Sequence, residues 1–269
     1  MFLRLLIIET RKTLKHPALW IGMAALTLLL AFAMLINHLQ IANGYQPADG
    51  GLEKDMLFGL AFFNWISVLV YAVVASVISA FDYPDRSIQL WLTRGLSRPV
   101  FLFARLTAIL SFDLLMVMFT VIAILGLGAL SRSLFFGIVD ISNLNYTALP
   151  LVTLRVFWGS LPYLVLTVLF AIVSRSSMFA AGGTIVYGSV FELLALNLSS
   201  KFPTLVRYLP ISLSQVLQTY NAALDHTVPP LPLNASIMPE PRAVILIGII
   251  FLILSIASLA IFSRQDLGG

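Results

Sequence analysis

Long runs of apolar residues alternate with short polar segments along the whole 269-residue chain. Six runs are long enough to cross about 30 Å of hydrocarbon, which takes roughly 20 helical residues. Backbone groups in lipid must be hydrogen-bonded within their own segment, and strand-like alternation is absent, so the runs predict helices. The predicted membrane spans are residues 18–38, 57–80, 106–131, 151–174, 178–198 and 243–263.

The first 16 residues have a different pattern, in which basic and apolar side chains take opposite faces of one helix. The basic face holds Arg4, Arg11, Lys12 and Lys15. The apolar face holds Phe2, Leu3, Leu6, Ile7 and Leu14. The segment therefore predicts an amphipathic helix that lies in the membrane interface, and Pro17 separates it from the first span.

Composition places the chain in the membrane class. It is 59% hydrophobic and only 10% charged, whereas a soluble domain has roughly 25% charged residues. The absence of cysteine excludes disulfides and cysteine-ligated metals. The net charge of +4 suits loops that face anionic lipid headgroups and is too small to indicate a nucleic-acid partner. The sequence thus predicts a single all-α, multi-pass domain in the cell membrane.

The basic residues predict the orientation. With the N-terminus in the cytoplasm, ten Lys and Arg residues fall on the inner side and six on the outer side. This bias favours an arrangement with both termini inside. Arg155, near the outer end of the fourth span, is then expected to extend toward the headgroups. The longest outer loop, residues 199–242, shows a helical pattern after Pro210 and becomes proline-rich beyond it.

A charged segment, "DYPDRSIQLWLTRGLSRPVFLFARL" (82–106), follows the second span on the predicted cytoplasmic side. Asp82 suits a helix N-cap, Pro84 the first turn, and Asp85 the positive end of the helix dipole. One face is apolar: Ile88, Trp91, Leu92 and Gly95. The opposite face is polar: Arg86, Gln89 and Thr93. We interpret the segment as a short exposed amphipathic helix whose apolar stripe either inserts into a partner protein or lies on lipid.

This segment resembles the one after the second span in permease subunits of type-2 ABC exporters, the ABCG-like architecture. The resemblance covers nearly the whole chain, through loosely similar stretches: "LLIIETRKTLKHPALWIGM", "FAIVSRSSMFAAGG", "RYLPISLSQVLQ" and "FSRQDL". In that family the segment is a coupling helix that seats in the ATPase subunit. The resemblance implies a docking contact formed by Asp85, Arg86, Ile88, Trp91, Leu92 and Arg94.

The resemblance also implies a mechanism and partners. Two permease subunits, identical or paralogous, would form a pathway that ATP binding and hydrolysis in separate ATPase subunits opens outward. The chain has no G-x-x-x-x-G-K-[ST] motif, so ATP and Mg²⁺ are expected in the partner and no cofactor in this chain. We therefore expect a transport subunit rather than an enzyme.

Polar residues inside the spans are the other candidate functional positions, because such residues usually have a partner or a role in a pathway. Asp113 either lines a translocation route or pairs with Arg105 or a neighbouring helix. Asn64 and Glu192 are expected to face the pathway or its outer vestibule. The three histidines, His16, His38 and His226, lie in different segments, so they predict interfacial positions and no metal site.

Two other functions stay open from the sequence. A membrane-embedded lipid-modifying enzyme would need carboxylates, histidines or a nucleophile clustered at one depth, and Asp113 and Glu192 are expected at different depths. A non-transporting scaffold would use the same fold to relay ATPase motion to an outer partner, and the long 199–242 loop suits such a role. Neither reading, nor transport itself, identifies a substrate.

Overall fold

Helices account for nearly all of the residues that the computed structural model describes, which are 2–44, 51–80, 97–137, 139–198, 201–225 and 238–265. Within these ranges there is no strand, apart from a single antiparallel bridge between Leu144 and Asp225. The helices are α1 (Phe2–Lys15), α2 (Pro17–Ala42), α3 (Leu52–Ala80), α4 (Arg98–Phe136), α5 (Leu149–Ser174), α6 (Ser177–Asn197), α7 (Pro203–Val206), α8 (Pro210–Thr219) and α9 (Glu240–Arg264).

Six of these helices, α2 to α6 and α9, are long and apolar enough to cross a membrane. The prediction of an all-helical, multi-pass chain is confirmed in these terms. Helix α4 extends beyond the predicted third span at both ends, to 39 residues. Its extra turns are accommodated because Arg105 and Arg132 are buried in contact with carboxylates of other helices. The orientation across the membrane stays a prediction.

The junction between α1 and α2 has the break that the sequence predicts at Pro17. His16 is the N-cap of α2, and its Nδ1 accepts a hydrogen bond from the Ala18 backbone N–H at 3.2 Å. Pro17 occupies the first helical position, where its missing N–H costs nothing and its fixed φ suits the helix. The chain can therefore change direction between α1 and α2 without leaving unpaired backbone groups.

Helix α1 is held against α4 by a stripe that differs from its predicted apolar face. Leu5, Glu9 and Thr13 recur every four residues and are all buried. Ile7 and Leu14 of the predicted apolar face are exposed on the protein surface. Three faces thus coexist on α1: one packs on the bundle, one is apolar and exposed, and one is basic.

The centre of the bundle is formed by α3, α4 and α5. In the most apolar stretch of each helix, 61% of the residues are buried for the span that ends with α5, and only 11% for α9. Helix α9 is tied to its neighbours at its C-terminal end, where Arg98 donates to the carbonyls of Ser263 at 2.8 Å and Gln265 at 2.7 Å. This contact satisfies carbonyl groups that a helix end leaves unpaired and brings a cation to the negative end of the helix dipole.

Helix α8 turns back into the bundle between α5, α3 and α9, and it buries Leu213, Ser214 and Leu217. The following turn, Tyr220–Leu224, packs on the loop after α4, where the Asn145 backbone N–H donates to the Leu224 carbonyl at 2.8 Å. In the same loop, the Ser142 backbone N–H donates to the Asp140 carboxylate and lowers its pKa. The segment after α6 is therefore part of the helical bundle and not only a surface loop.

Candidate functional site

A groove of about 370 Å³ lies where α3, α5, α6 and α8 meet. Its polar lining includes Asn64 from α3, Tyr163 from α5, and Ser214 and Gln215 from α8. The Ser214 hydroxyl donates to Asn64 Oδ1 at 2.8 Å, which ties α8 to α3 across the groove. Polar groups from three helices therefore converge on one concave surface inside an otherwise apolar bundle.

A fully buried carboxylate, Glu192, stands directly behind the wall of this groove. The Tyr163 hydroxyl donates to Glu192 Oε2 at 2.5 Å, and the Ile211 backbone N–H donates to Oε1 at 3.4 Å. The Tyr187 hydroxyl lies close to the same carboxylate. Tyr163 and Ile211 also line the groove, so the carboxylate is one residue removed from its surface. Of the predicted intramembrane residues, Asn64 therefore lines the groove, whereas Glu192 is buried and contacts the lining residue Tyr163.

The helices are irregular at this site. Residues Val186–Phe191 form a π-helical turn that ends immediately before Glu192, and such turns are frequent at functional sites. Pro162 lies inside α5, next to Tyr163, where it removes a backbone hydrogen bond. Gly188 allows α6 to approach α3 closely, since a Cβ there would come within 2.6 Å of a Val68 methyl group. The local backbone is therefore shaped around the Glu192–Tyr163 pair.

Asp113 belongs to a separate cluster. It is fully buried, and the Ser160 hydroxyl of α5 donates to its Oδ2 at 2.6 Å. The Tyr71 hydroxyl faces the same carboxylate at a looser geometry than a full hydrogen bond. Of the two pairings expected for Asp113, the structure therefore shows the contact with a neighbouring helix. Arg105 contacts other groups.

A polar stripe on α5 links the two carboxylate clusters. Ser160, Tyr163 and Thr167 recur at spacings of three and four residues, so they lie on adjoining turns of one helix face. They contact Asp113 on α4, Glu192 on α6, and Thr184 on α6 at 3.0 Å between the hydroxyl oxygens. Helix α5 therefore carries a hydroxyl donor for each of the two buried acids.

A third cluster joins α2, α3 and α4 at the opposite end of the bundle from α1. Arg132 makes two hydrogen bonds to the two carboxylate oxygens of Asp55. His38 Nε2 lies 3.3 Å from Asp55 Oδ1, and its Nδ1 lies 2.9 Å from the Met34 carbonyl oxygen. The His38 side chain is fully buried between this carboxylate and the rings of Phe135 and Phe136, and its position at the membrane interface stays a prediction.

Two further ion pairs join distant parts of the chain. Arg155 makes two hydrogen bonds to Glu240 of α9, at 2.6 and 3.0 Å, and a third to the Tyr220 carbonyl at 2.8 Å. Arg155 thus has partners within the protein, and its reach toward the headgroups stays a prediction.

At the other end, Arg105 lies 3.5 Å from the Glu9 carboxylate and donates to the Ser79 carbonyl at 3.1 Å. Glu9, Ser79 and Arg105 are all buried. This contact joins α1, the last turn of α3 and the first turns of α4. None of the ion pairs described here was predicted from the sequence.

The predicted docking residues, Asp85, Arg86, Ile88, Trp91, Leu92 and Arg94, lie outside the described residues, so their contact stays a prediction. Of the predicted interface residues, Arg4, Arg11 and Lys15 are exposed and Lys12 is half-buried. In the part of the chain that the structure describes, no three His, Cys, Asp or Glu side chains are grouped as a metal site would require.

Comparison with protein-family models finds no match to this chain. Comparison with curated proteins finds no matching relative either.

Proposed function

We propose that this chain is a permease subunit of an ATP-binding-cassette exporter of the type-2 class. Two such subunits, identical or paralogous, form the translocation pathway, and separate ATPase subunits bind ATP and Mg²⁺. The proposal starts from the resemblance of residues 82–106 to a coupling helix. It is supported by six membrane-length helices. A polar groove supports it as well, lined by α3, which precedes that segment, and by α5, α6 and α8, which follow it.

The observation that carries the proposal is the buried contact among Glu9, Ser79 and Arg105. Ser79 and Arg105 lie on the two helices that residues 81–96 connect, and Glu9 lies on α1. A push on the connecting segment would therefore move α1, α3 and α4 together. Coupling of an outside motor to a membrane bundle requires such a rigid unit, because packed helices shift as bodies and do not deform continuously.

Helix α3 extends from this contact to the groove. Ala80 ends α3, and Asn64 lies 16 residues earlier, which is about 24 Å along a helix at 1.5 Å per residue. A tilt of α3 would change the distance between Asn64 and Ser214 and so open or close the groove. In this mechanism the Tyr163 hydroxyl, and the Glu192 carboxylate behind it, would interact with a substrate in the groove.

The test is co-purification of the tagged chain from its native membranes in mild detergent. The wild type is compared with a Trp91→Asp, Leu92→Asp variant, whose charges fall on the predicted docking face. The matched control is Gln89→Asp, Thr93→Asp, which places the same two charges on the predicted polar face of the same segment. The readouts are ATP hydrolysis in the eluate and the mass of the co-purified subunit.

We expect the ATPase to be lost from the docking-face variant and retained by the wild type and the control. An ATPase that binds all three forms, or none, would contradict the docking contact. An ATPase that binds but drives no export from vesicles would contradict transport and leave the scaffold function.

A further inference from the structure

The groove between α3, α5, α6 and α8 has an amphipathic lining. Its apolar part comes from Trp65, Ile66, Val68, Leu69, Leu193 and Ile211. Its polar part consists of hydroxyl and amide side chains. Within the described residues, no Lys, Arg, Asp or Glu side chain lines it. A volume of about 370 Å³ is in the range of sites that hold small organic molecules.

A carboxylate lies directly behind this lining. Glu192 is fully buried, and it accepts hydrogen bonds from the Tyr163 hydroxyl and the Ile211 backbone N–H, two residues that line the groove. In the part of the chain that the structure describes, Glu192 forms no ion pair. An acid without a cationic partner is costly in an apolar bundle. A cation in the groove would offset that cost.

Basic side chains do not line the groove. Lys201 and Arg207, which follow Glu192 in the sequence, are exposed and lie outside its lining. The Lys and Arg residues outside the described ranges all belong to residues 81–96. That segment follows the end of α3, which is about 24 Å from Asn64 along the helix. The electrostatic potential in the groove is therefore expected to be negative.

Aromatic rings favour the same sign of charge. Trp65 lines the groove and is 70% exposed, and the ring of Tyr163 lines it from the opposite helix. The faces of tryptophan and tyrosine rings attract cations, and such rings recognise quaternary ammonium groups. The Tyr163 hydroxyl donates its hydrogen to Glu192, so its oxygen can still accept a hydrogen bond from a donor in the groove.

We propose that this groove binds an amphipathic organic cation. An ammonium group lies beside the rings of Trp65 and Tyr163, and an apolar body lies against the apolar lining of α3 and α6. The Glu192 carboxylate supplies the counter-charge from behind Tyr163. The proposal rests on the proposed function only for the role of this ligand as the transported substrate, because binding itself is a property of the chain alone.

The experiment measures binding of 4-phenylbutyltrimethylammonium to the purified full chain in a neutral detergent by isothermal titration calorimetry. 4-Phenylbutanesulfonate, with the same apolar body and the opposite charge, is titrated separately. Titrations into detergent alone correct for partition into micelles. Neither ATP nor an ATPase is present, so the result does not depend on the docking contact.

Two test variants each have a matched control. Glu192→Gln removes the counter-charge, and Asp113→Asn makes the same change at the buried acid of the separate cluster. Trp65→Leu removes an aromatic ring from the groove, and Trp20→Leu removes an exposed ring from α2. Because Trp65 is exposed, its variant keeps the test informative if the Glu192 variant is unstable. Melting temperatures establish whether each variant is folded.

We expect the ammonium compound to bind at least about tenfold more tightly than the sulfonate. Its affinity should fall roughly tenfold in Glu192→Gln and roughly threefold in Trp65→Leu, and by less than about twofold in each control. Equal affinity for the two compounds would overturn the proposal. Equal weakening in each test variant and its control would overturn it as well. A cation that binds as expected but is not exported by the complex would contradict the proposed function and leave the binding site in place.

Discussion

The buried carboxylates near the start of α3 and near its middle have different surroundings. Near its start, Asp55 contacts the guanidinium group of Arg132 and the ring of His38. The acids nearest its middle, Asp113 and Glu192, receive hydroxyl and backbone N–H donors. Among the described residues, neither Asp113 nor Glu192 forms an ion pair.

This difference separates structural from functional candidates. A buried carboxylate with a bidentate arginine is neutralised and holds its helices together, and removing one partner is costly. A buried carboxylate with only hydroxyl donors stays costly in an apolar bundle. Such a group is functional when it can exchange a proton or contact a ligand. Glu192 lies behind the wall of the groove and contacts Tyr163, which lines it. We therefore infer a structural role for Asp55 and a functional one for Glu192.

The largest effect on stability is expected from Arg132→Leu. The substitution leaves Asp55 buried with only His38 nearby, and breaking a buried ion pair costs about 3–5 kcal/mol. The measurement is the free energy of unfolding in a denaturing-detergent titration. Arg207→Leu, at an exposed position on the turn after α7, is the control and should change stability by less than about 0.5 kcal/mol.

The double variant Asp55→Leu, Arg132→Leu sharpens this test. It removes both charges, so it should recover part of the lost stability. A double variant as unstable as the sum of the two single variants would show that Asp55 and Arg132 act independently, which contradicts a structural ion pair.

A smaller effect is expected from Gly188→Ala beside the groove. The new Cβ would come within 2.6 Å of a Val68 methyl group, so α6 must move away from α3, at a cost of about 1–3 kcal/mol. Gly182→Ala on the same helix meets no atom within 4 Å. It should stabilise the helix by up to about 1 kcal/mol, because alanine has the higher helix propensity. If both alanines raise the melting temperature, α6 does not pack on α3 at Gly188.

Hydropathy is sufficient to predict the helices but not their partners. The six spans and the break at Pro17 follow from local rules: the length of apolar runs and the preference of proline for the start of a helix. The pair of Asp55 and Arg132 is separated by 77 residues and the pair of Arg155 and Glu240 by 85. No periodicity within one segment can report such contacts.

A signal for these pairs was nevertheless present. Arg132 and Arg155 lie at the ends of apolar runs, where an unpaired cation is costly, and Asp55 and Glu240 lie at the starts of two others. An arginine at the end of a span has the same sequence pattern whether it faces a loop or pairs with an acid, so the orientation rule does not reveal this complementarity. The π-helical turn before Glu192 has no such signal in the sequence.

The smallest effect on stability, and the most informative on function, is expected from Glu192→Gln. The amide keeps the shape of the side chain and an oxygen that accepts from Tyr163, so unfolding should change by less than about 1 kcal/mol. The amide cannot ionise, however, and hydrogen bonds to charged groups contribute about 1.5–3 kcal/mol. If a passing ligand or proton uses this carboxylate, ATP-driven transport by the purified complex should fall by roughly tenfold to a hundredfold.

Asp113→Asn is the matched control, since it makes the same chemical change at a buried carboxylate whose hydroxyl partner, Ser160, does not line the groove. It should change stability about as little, and transport should fall by less than about threefold. Equal losses of transport in the two variants would mean that both acids serve one function through the Ser160–Tyr163 face of α5. That result would contradict the assignment of the groove as the pathway, because the site would then lie between α4, α5 and α6 inside the bundle.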